Sequence, residues 1–144
     1  MKKITTGLIL SAILCFFMSC ATTSTYTLSF AADKQINDDV LLPVDIIVAK
    51  DPVMNSVVEI GPEEWFGHQT REVLVERELY PLAISGGEER VKKIIVDKEI
   101  SRIIIFADYE NSNDRDDQQL IINTSDRKTK YLILITENKL EIEK

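Results

Sequence analysis

Apolar residues recur along this chain mostly with a period of two. Tyr26, Leu28 and Phe30 alternate with Thr27 and Ser29, which predicts a strand with one buried face. After Pro43, Val44 to Val48 reads as a second strand, with Asp45 turned to solvent or lying near a sheet edge. Residues 91–96, 103–109, 120–123 and 131–135 are short runs of Ile, Val, Leu and Tyr. Ile103 to Phe106 and Leu132 to Ile135 are continuously apolar, which predicts central strands with both faces covered at least in part. Phe30, Ile46, Ile104, Phe106, Leu132 and Leu134 are the expected core. Glu137-Asn138-Lys139 turns into an alternating edge strand, 140–143, that ends in charge.

Breaks separate these runs. Asn37-Asp38-Asp39 is a turn signal, and Asp51-Pro52 ends the second strand. Val57 to Ile60 reads as extended. Pro62-Glu63-Glu64-Trp65 predicts one short helix, running to Phe66 and stopped by Gly67, with proline and acids suited to a first turn. Val73-Leu74-Val75 and Leu79-Tyr80 suggest a strand that ends at Pro81, and Ser85 to Glu88 a tight turn. The fold class that follows is mainly β: an antiparallel β-sandwich of seven or eight strands with at most one or two short helices.

The first residues follow a different pattern. Lys2 and Lys3 precede an apolar run from Gly7 to Met18, then Ser19 and Cys20. A charged start, a short apolar run and a small residue make a secretory signal, too short for the roughly 20 residues of a spanning helix. Met18-Ser19-Cys20 resembles the bacterial lipobox, whose cysteine is acylated and begins the mature protein; Phe17 stands where leucine is usual. A plain signal peptide with an incidental cysteine is the alternative. The expected organisation is a signal peptide at 1–19, an acylated tether at 20–25 and a sandwich domain at 26–144. Cys15 would leave with the signal and Cys20 would carry lipid, so the mature domain holds no disulfide. Ala21, rather than the aspartate that retains many such lipoproteins in the inner membrane, points to the outer membrane. Loss of Lys2 and Lys3 takes the formal charge from −7 to −9. So acidic a domain argues against nucleic acid as a partner.

Candidate chemistry is sparse. His68 is the only histidine, which leaves no His-based metal cluster or triad to build. Asn111, Asn113, Asp114, Asp116 and Asp117 suggest calcium, but the spacing lacks the glycine and terminal glutamate of an EF-hand loop and contains Arg115. Glu63-Glu64 and Glu88-Glu89 are adjacent pairs rather than carboxylates facing across a cleft. Gly86-Gly87 lacks the lysine of a phosphate loop. Trp65-Phe66 reads either as a plug at one end of the sandwich or as a docking patch. No catalytic, metal or cofactor site is expected.

Several stretches nonetheless occur in a recognisable order. They are the acylated cysteine, a first strand, Ala32 to Asn37, Pro43-Val44-Asp45-Ile46, Leu79-Tyr80-Pro81 before a Gly-Glu turn, and Ile105-Phe106-Ala107-Asp108-Tyr109. This order resembles the type VI secretion lipoprotein family (TssJ, SciN or VasD), although the tryptophan-arginine pair common after the late strand is missing. The resemblance implies a transthyretin-like sandwich tethered to outer-membrane lipid and facing the periplasm. It also implies a partner, the periplasmic domain of an inner-membrane secretion protein (TssM-like). The contact would fall on the loop between the first two strands: Lys34, Gln35, Ile36, Asn37, Asp38, Asp39, Val40, Leu41 and Leu42. The last three are either core or the apolar centre of an interface. A periplasmic ligand-binding or inhibitor lipoprotein, working through the acidic loop 111–117, is the alternative reading.

Overall fold

In the computed structural model, which describes residues 23–112 and 114–144, eight strands form two four-stranded sheets. The first has the order β4 (Glu89–Asp97), β1 (Thr23–Ala32), β7 (Lys130–Ile135), β8 (Leu140–Ile142). The second has the order β3 (Leu79–Ile84), β2 (Leu42–Ile47), β5 (Arg102–Ala107), β6 (Gln119–Asn123). Neighbours run antiparallel except β1 and β7, which are parallel. The expected mainly-β sandwich is what the chain forms. The expected signal segment and Cys20 lie outside the described residues. β1 begins at Thr23 rather than Tyr26, because the long β4 extends to pair with Thr23, Ser24 and Thr25.

The period of two in β1 does what it predicts. Tyr26, Leu28 and Phe30 are buried against Val44 and Ile46 of β2, Ile103 and Ile105 of β5, and Ile133 and Ile135 of β7. In β5 the opposite face is buried as well. Ile104 and Phe106 meet a helical layer formed by α1 (Asp51–Trp65), whose Met54, Val57 and Trp65 cover them together with Ile47. Trp65 and Phe106 stack edge to face with centroids 5.8 Å apart. Val57 to Ile60 is therefore helical, not extended. The β-branched residues there disfavour a helix only slightly, and an apolar stripe at helical spacing has a sheet face to cover. The helix breaks at Gly61, whose φ of +74° glycine adopts readily, and Pro62 starts the last turn as expected.

Other expectations need correcting. Leu132 and Leu134 are only half-buried, because among the described residues no helix covers the outer face of the first sheet; Tyr131, Ile133 and Ile135 are the core residues of β7. Residues 73–75 do not form a strand: α2 (Gln69–Val73) ends there, and Val73 and Val75 stand exposed. Pro81 lies inside β3 rather than at its end, tolerated because β3 is an edge strand. Asp45 is neither solvent-facing nor at an edge. It sits in central β2 at 1% exposure, held by the Trp65 indole N–H (2.8 Å) and by two bonds from Arg71 (2.6 and 3.2 Å). The helical layer that covers Phe106 also covers Asp45, so the carboxylate is held by a cation and a ring N–H instead of water.

Candidate docking surface at one end of the sandwich

Strand β1 separates two ends of the molecule. At roughly 3.3 Å per residue, its first and last positions lie about 30 Å apart. Beyond its last residue the chain crosses from one sheet to the other through the loop 33–41.

Three successive residues of this loop, Asn37, Asp38 and Asp39, have left-handed backbones with φ of 47°, 53° and 62°. Such a run costs roughly 1 kcal/mol or more per ordinary residue, less for Asn and Asp, whose side chains bond locally. Asn37 is 4% exposed; its Oδ1 accepts the Glu110 N–H at 2.7 Å and its Nδ2 donates to the Leu41 carbonyl at 3.4 Å. Its own N–H donates to the Glu137 carbonyl at 3.0 Å. Asn111 donates to the Asp38 carboxylate.

These bonds gather three connections at one end: the loop after β1, the β5–β6 loop and the β7–β8 turn. Tyr109 secures the third with its hydroxyl on the Thr136 carbonyl at 3.3 Å. Burial, reinforced by the Asp117 and Asp33 charges, pushes the Tyr109 phenol well above its ordinary range. A fourth contact comes from the Ser85–Glu88 turn. There the Gly87 N–H donates to the Asp33 carbonyl at 2.8 Å, and Gly86 lies so close to the Lys34 carbonyl that a Cβ would collide with it. The expected tight turn is present, and it packs on the loop.

The nine residues singled out in sequence take distinct places. Ile36 and Leu42 are buried in the core. Lys34, Gln35, Asp38 and Asp39 are exposed, and Asn37 is internal. Val40 and Leu41 are 47% and 56% exposed. The apolar triplet therefore divides: Leu42 is core and its two predecessors are surface.

The end as a whole is acidic. Asp38, Asp39, Glu110 and Glu137 lie on it, and a polar cleft of about 200 Å³ opens between Asn37, Asp38, Tyr109, Asn111, Glu137 and Asn138. Asp108, beside it, has its carboxyl pushed up by burial first and by the Glu110 and Asp45 charges after that. Glu110, Asn111 and Glu137 were not among the residues picked out for this surface. Their positions after β5 and β7 hinted at it, since those strands end at the same edge of the sandwich.

The remaining candidates have structural roles. His68 caps α2, its Nδ1 accepting the Thr70 N–H at 3.1 Å. Asp114 caps the turn 115–117, accepting the Asp116 N–H at 2.9 Å, while Arg115 reaches the Val58 carbonyl at the kink of α1. Among the described residues, no group of three or more His, Cys, Asp or Glu side chains is placed to hold a metal. Trp65 is wholly buried in the helical layer, so it is a docking patch in no sense; Phe66 is half-buried beside it. At the opposite end, where β1 begins, a cleft of about 490 Å³ is lined by Thr23, Val48, Val75, Tyr80, Ile95 and Ile100 among others.

No protein-family model matches the chain, and no curated protein matches it either. Solved structures do. Lip of Serratia marcescens, a membrane-bound component of the type VI secretion system, is 15% identical with a TM-score of 0.61, covering 84% of this chain and 98% of that one. The type VI lipoprotein TssJ1 of Pseudomonas aeruginosa is also 15% identical, with a TM-score of 0.63 and coverage of 83% and 95%. A chain from a structure of the TssM C-terminal domain (869–1107) of EAEC is 16% identical, with a TM-score of 0.64 and coverage of 83% and 98%. At such identities the likeness is one of fold.

Proposed function

We propose that this chain is a structural lipoprotein of a type VI secretion membrane complex. In this reading Cys20 carries the lipid, the outer membrane holds it, and the domain faces the periplasm. The loop 34–42 grips the periplasmic domain of a TssM-like inner-membrane protein. The observation that carries the proposal is the exposed pair Val40 and Leu41, on a shaped acidic loop about 30 Å along β1 from Thr23. A bridge between two membranes needs its anchor and its docking surface at opposite ends, and in sequence Cys20 precedes by three residues the start of β1 at Thr23, the end of the strand remote from the loop. The likeness to Lip, to TssJ1 and to a chain from the TssM structure supports the choice of system and partner.

Burying a leucine in an interface contributes about 1.5–3 kcal/mol when complete, so Leu41 should weigh heavily in affinity. Rim acids act more on association rate and salt dependence. The test is binding of the lipid-free domain to the partner's periplasmic fragment. Leu41→Asp should weaken it by about tenfold or more, whereas Asp38→Ala should chiefly slow association and flatten its salt dependence. Because Leu41 is exposed, Leu41→Asp should fold normally; a folded variant that binds like wild type removes the loop from the interface. For the anchor, a palmitate analogue should label wild type and miss Cys20→Ser; equal labelling of both refutes acylation at Cys20.

A further inference from the structure

The docking loop is not shaped by its own residues alone. Asn37 is buried, left-handed and bonded to all three connections that meet at this end: to Leu41 within the loop, to Glu110 after β5 and to Glu137 after β7. Val40 in turn donates its N–H to the Asn37 carbonyl at 3.0 Å, so the exposed apolar pair begins one bond away from this residue. The β5–β6 loop is itself held at further points besides Glu110 and Tyr109. Asn111 reaches Asp38, while Arg115 reaches the Val58 carbonyl where α1 breaks.

The geometry points to Asn37 as the positioning residue of the docking surface, and to Glu110–Asn111 as a second part of that surface. This rests on the docking role proposed above. Without its side-chain bonds, a left-handed Asn-Asp-Asp run has little reason to persist, and Val40 and Leu41 would sample many directions. With them the loop is preformed, and association need not meet the cost of ordering it. The partner that fits is a protein surface with an apolar recess and a basic rim, since Asp38, Asp39, Glu110 and Glu137 share this end with the apolar pair.

The experiment uses the lipid-free domain; among the described residues the core spans 26–142. Amide hydrogen exchange is read at Glu110 and Val40, and affinity for the TssM-like periplasmic fragment is measured beside it. Asn37→Ala should speed exchange at Glu110 by about tenfold or more, leave Ile105 and Ile133 protected, and weaken binding by about tenfold, as a less populated competent loop requires. Asn37→Asp keeps the acceptor for Glu110 but loses the donor to Leu41 and buries a charge, so it should keep exchange at Glu110 slow while its affinity falls between those of wild type and Asn37→Ala. A residue that served stability alone would change melting without separating these variants in affinity.

Unchanged exchange at Glu110 in Asn37→Ala overturns the positioning role. Faster exchange with wild-type affinity overturns preorganisation, provided Leu41→Asp still abolishes binding. If Leu41→Asp binds normally, it is the docking role that fails, and the exchange result alone judges Asn37. Should Asn37→Ala not fold, Asn111→Ala removes an exposed contact to the same loop. It should weaken binding by about threefold, and wild-type affinity there would overturn the proposal.

Discussion

Arg71→Ala should be among the most damaging single changes to the helical layer, and its cost follows from the geometry around Asp45. That carboxylate is 1% exposed in a central strand and receives three hydrogen bonds, two of them from Arg71. Removing Arg71 leaves a buried charge with the Trp65 N–H as its one remaining donor. Breaking a buried pair by deleting one partner costs about 3–5 kcal/mol. Arg71 is 32% exposed, so water reaches one side of the pair and the cost falls at the low end, about 3 kcal/mol. That is a large part of the roughly 5–15 kcal/mol of a whole domain. Urea unfolding followed by tryptophan fluorescence is a direct assay, because Trp65 is the only tryptophan and sits in the cluster. Asp45→Asn combined with Arg71→Ala should recover more than half of the loss, since no charge is then stranded. An Arg71→Ala protein within about 0.5 kcal/mol of wild type would refute the reasoning, for that is the range of an ordinary surface change.

Three further outcomes are expected. Phe106→Ala should cost about 3–5 kcal/mol, because the ring is wholly buried against Trp65, while Leu132→Ala on the open sheet face should cost less than about 1.5 kcal/mol; equal unfolding midpoints would contradict the assigned faces. Gly61→Ala should destabilise by about 1–3 kcal/mol, since a Cβ there meets Arg115 Cζ at 2.7 Å and the φ of +74° suits glycine; a midpoint matching wild type would count against the kink. Alkaline stability should fall above pH of about 10. The Tyr109 phenol is raised in the folded protein, so its contribution is complete below the unfolded value and is lost as pH rises through the folded one. Tyrosinate absorbance that rose well before unfolding, with Tyr109 contributing, would show the ring to be accessible.

What the sequence determined was local. Alternation in β1 set which residues face inward, because side chains leave a strand on opposite sides and only one set can share a core. Apolar runs located the strands of the second half to within a residue or two, and Pro62 with its acids marked a helical turn. Acidity and the single histidine were equally plain.

Whether a strand's second face is covered is not a local property, and there tertiary structure decided. Ile104-Ile105-Phe106 and Leu132-Ile133-Leu134 read alike, yet only the first lies under α1, so Phe106 is buried and Leu132 is not. The same layer turned Asp45 from an expected solvent group into a buried ion, and drew Val57 to Ile60 into a helix against a mild local preference. In the loop after β1, Val40, Leu41 and Leu42 are indistinguishable as letters. The loop's left-handed turn separates them, sending Leu42 inward and the other two out. Within that turn the Asn37 side chain accepts a bond from Glu110, 73 residues away. No window along the chain contains both partners, so only the packing of the sheets could bring them together.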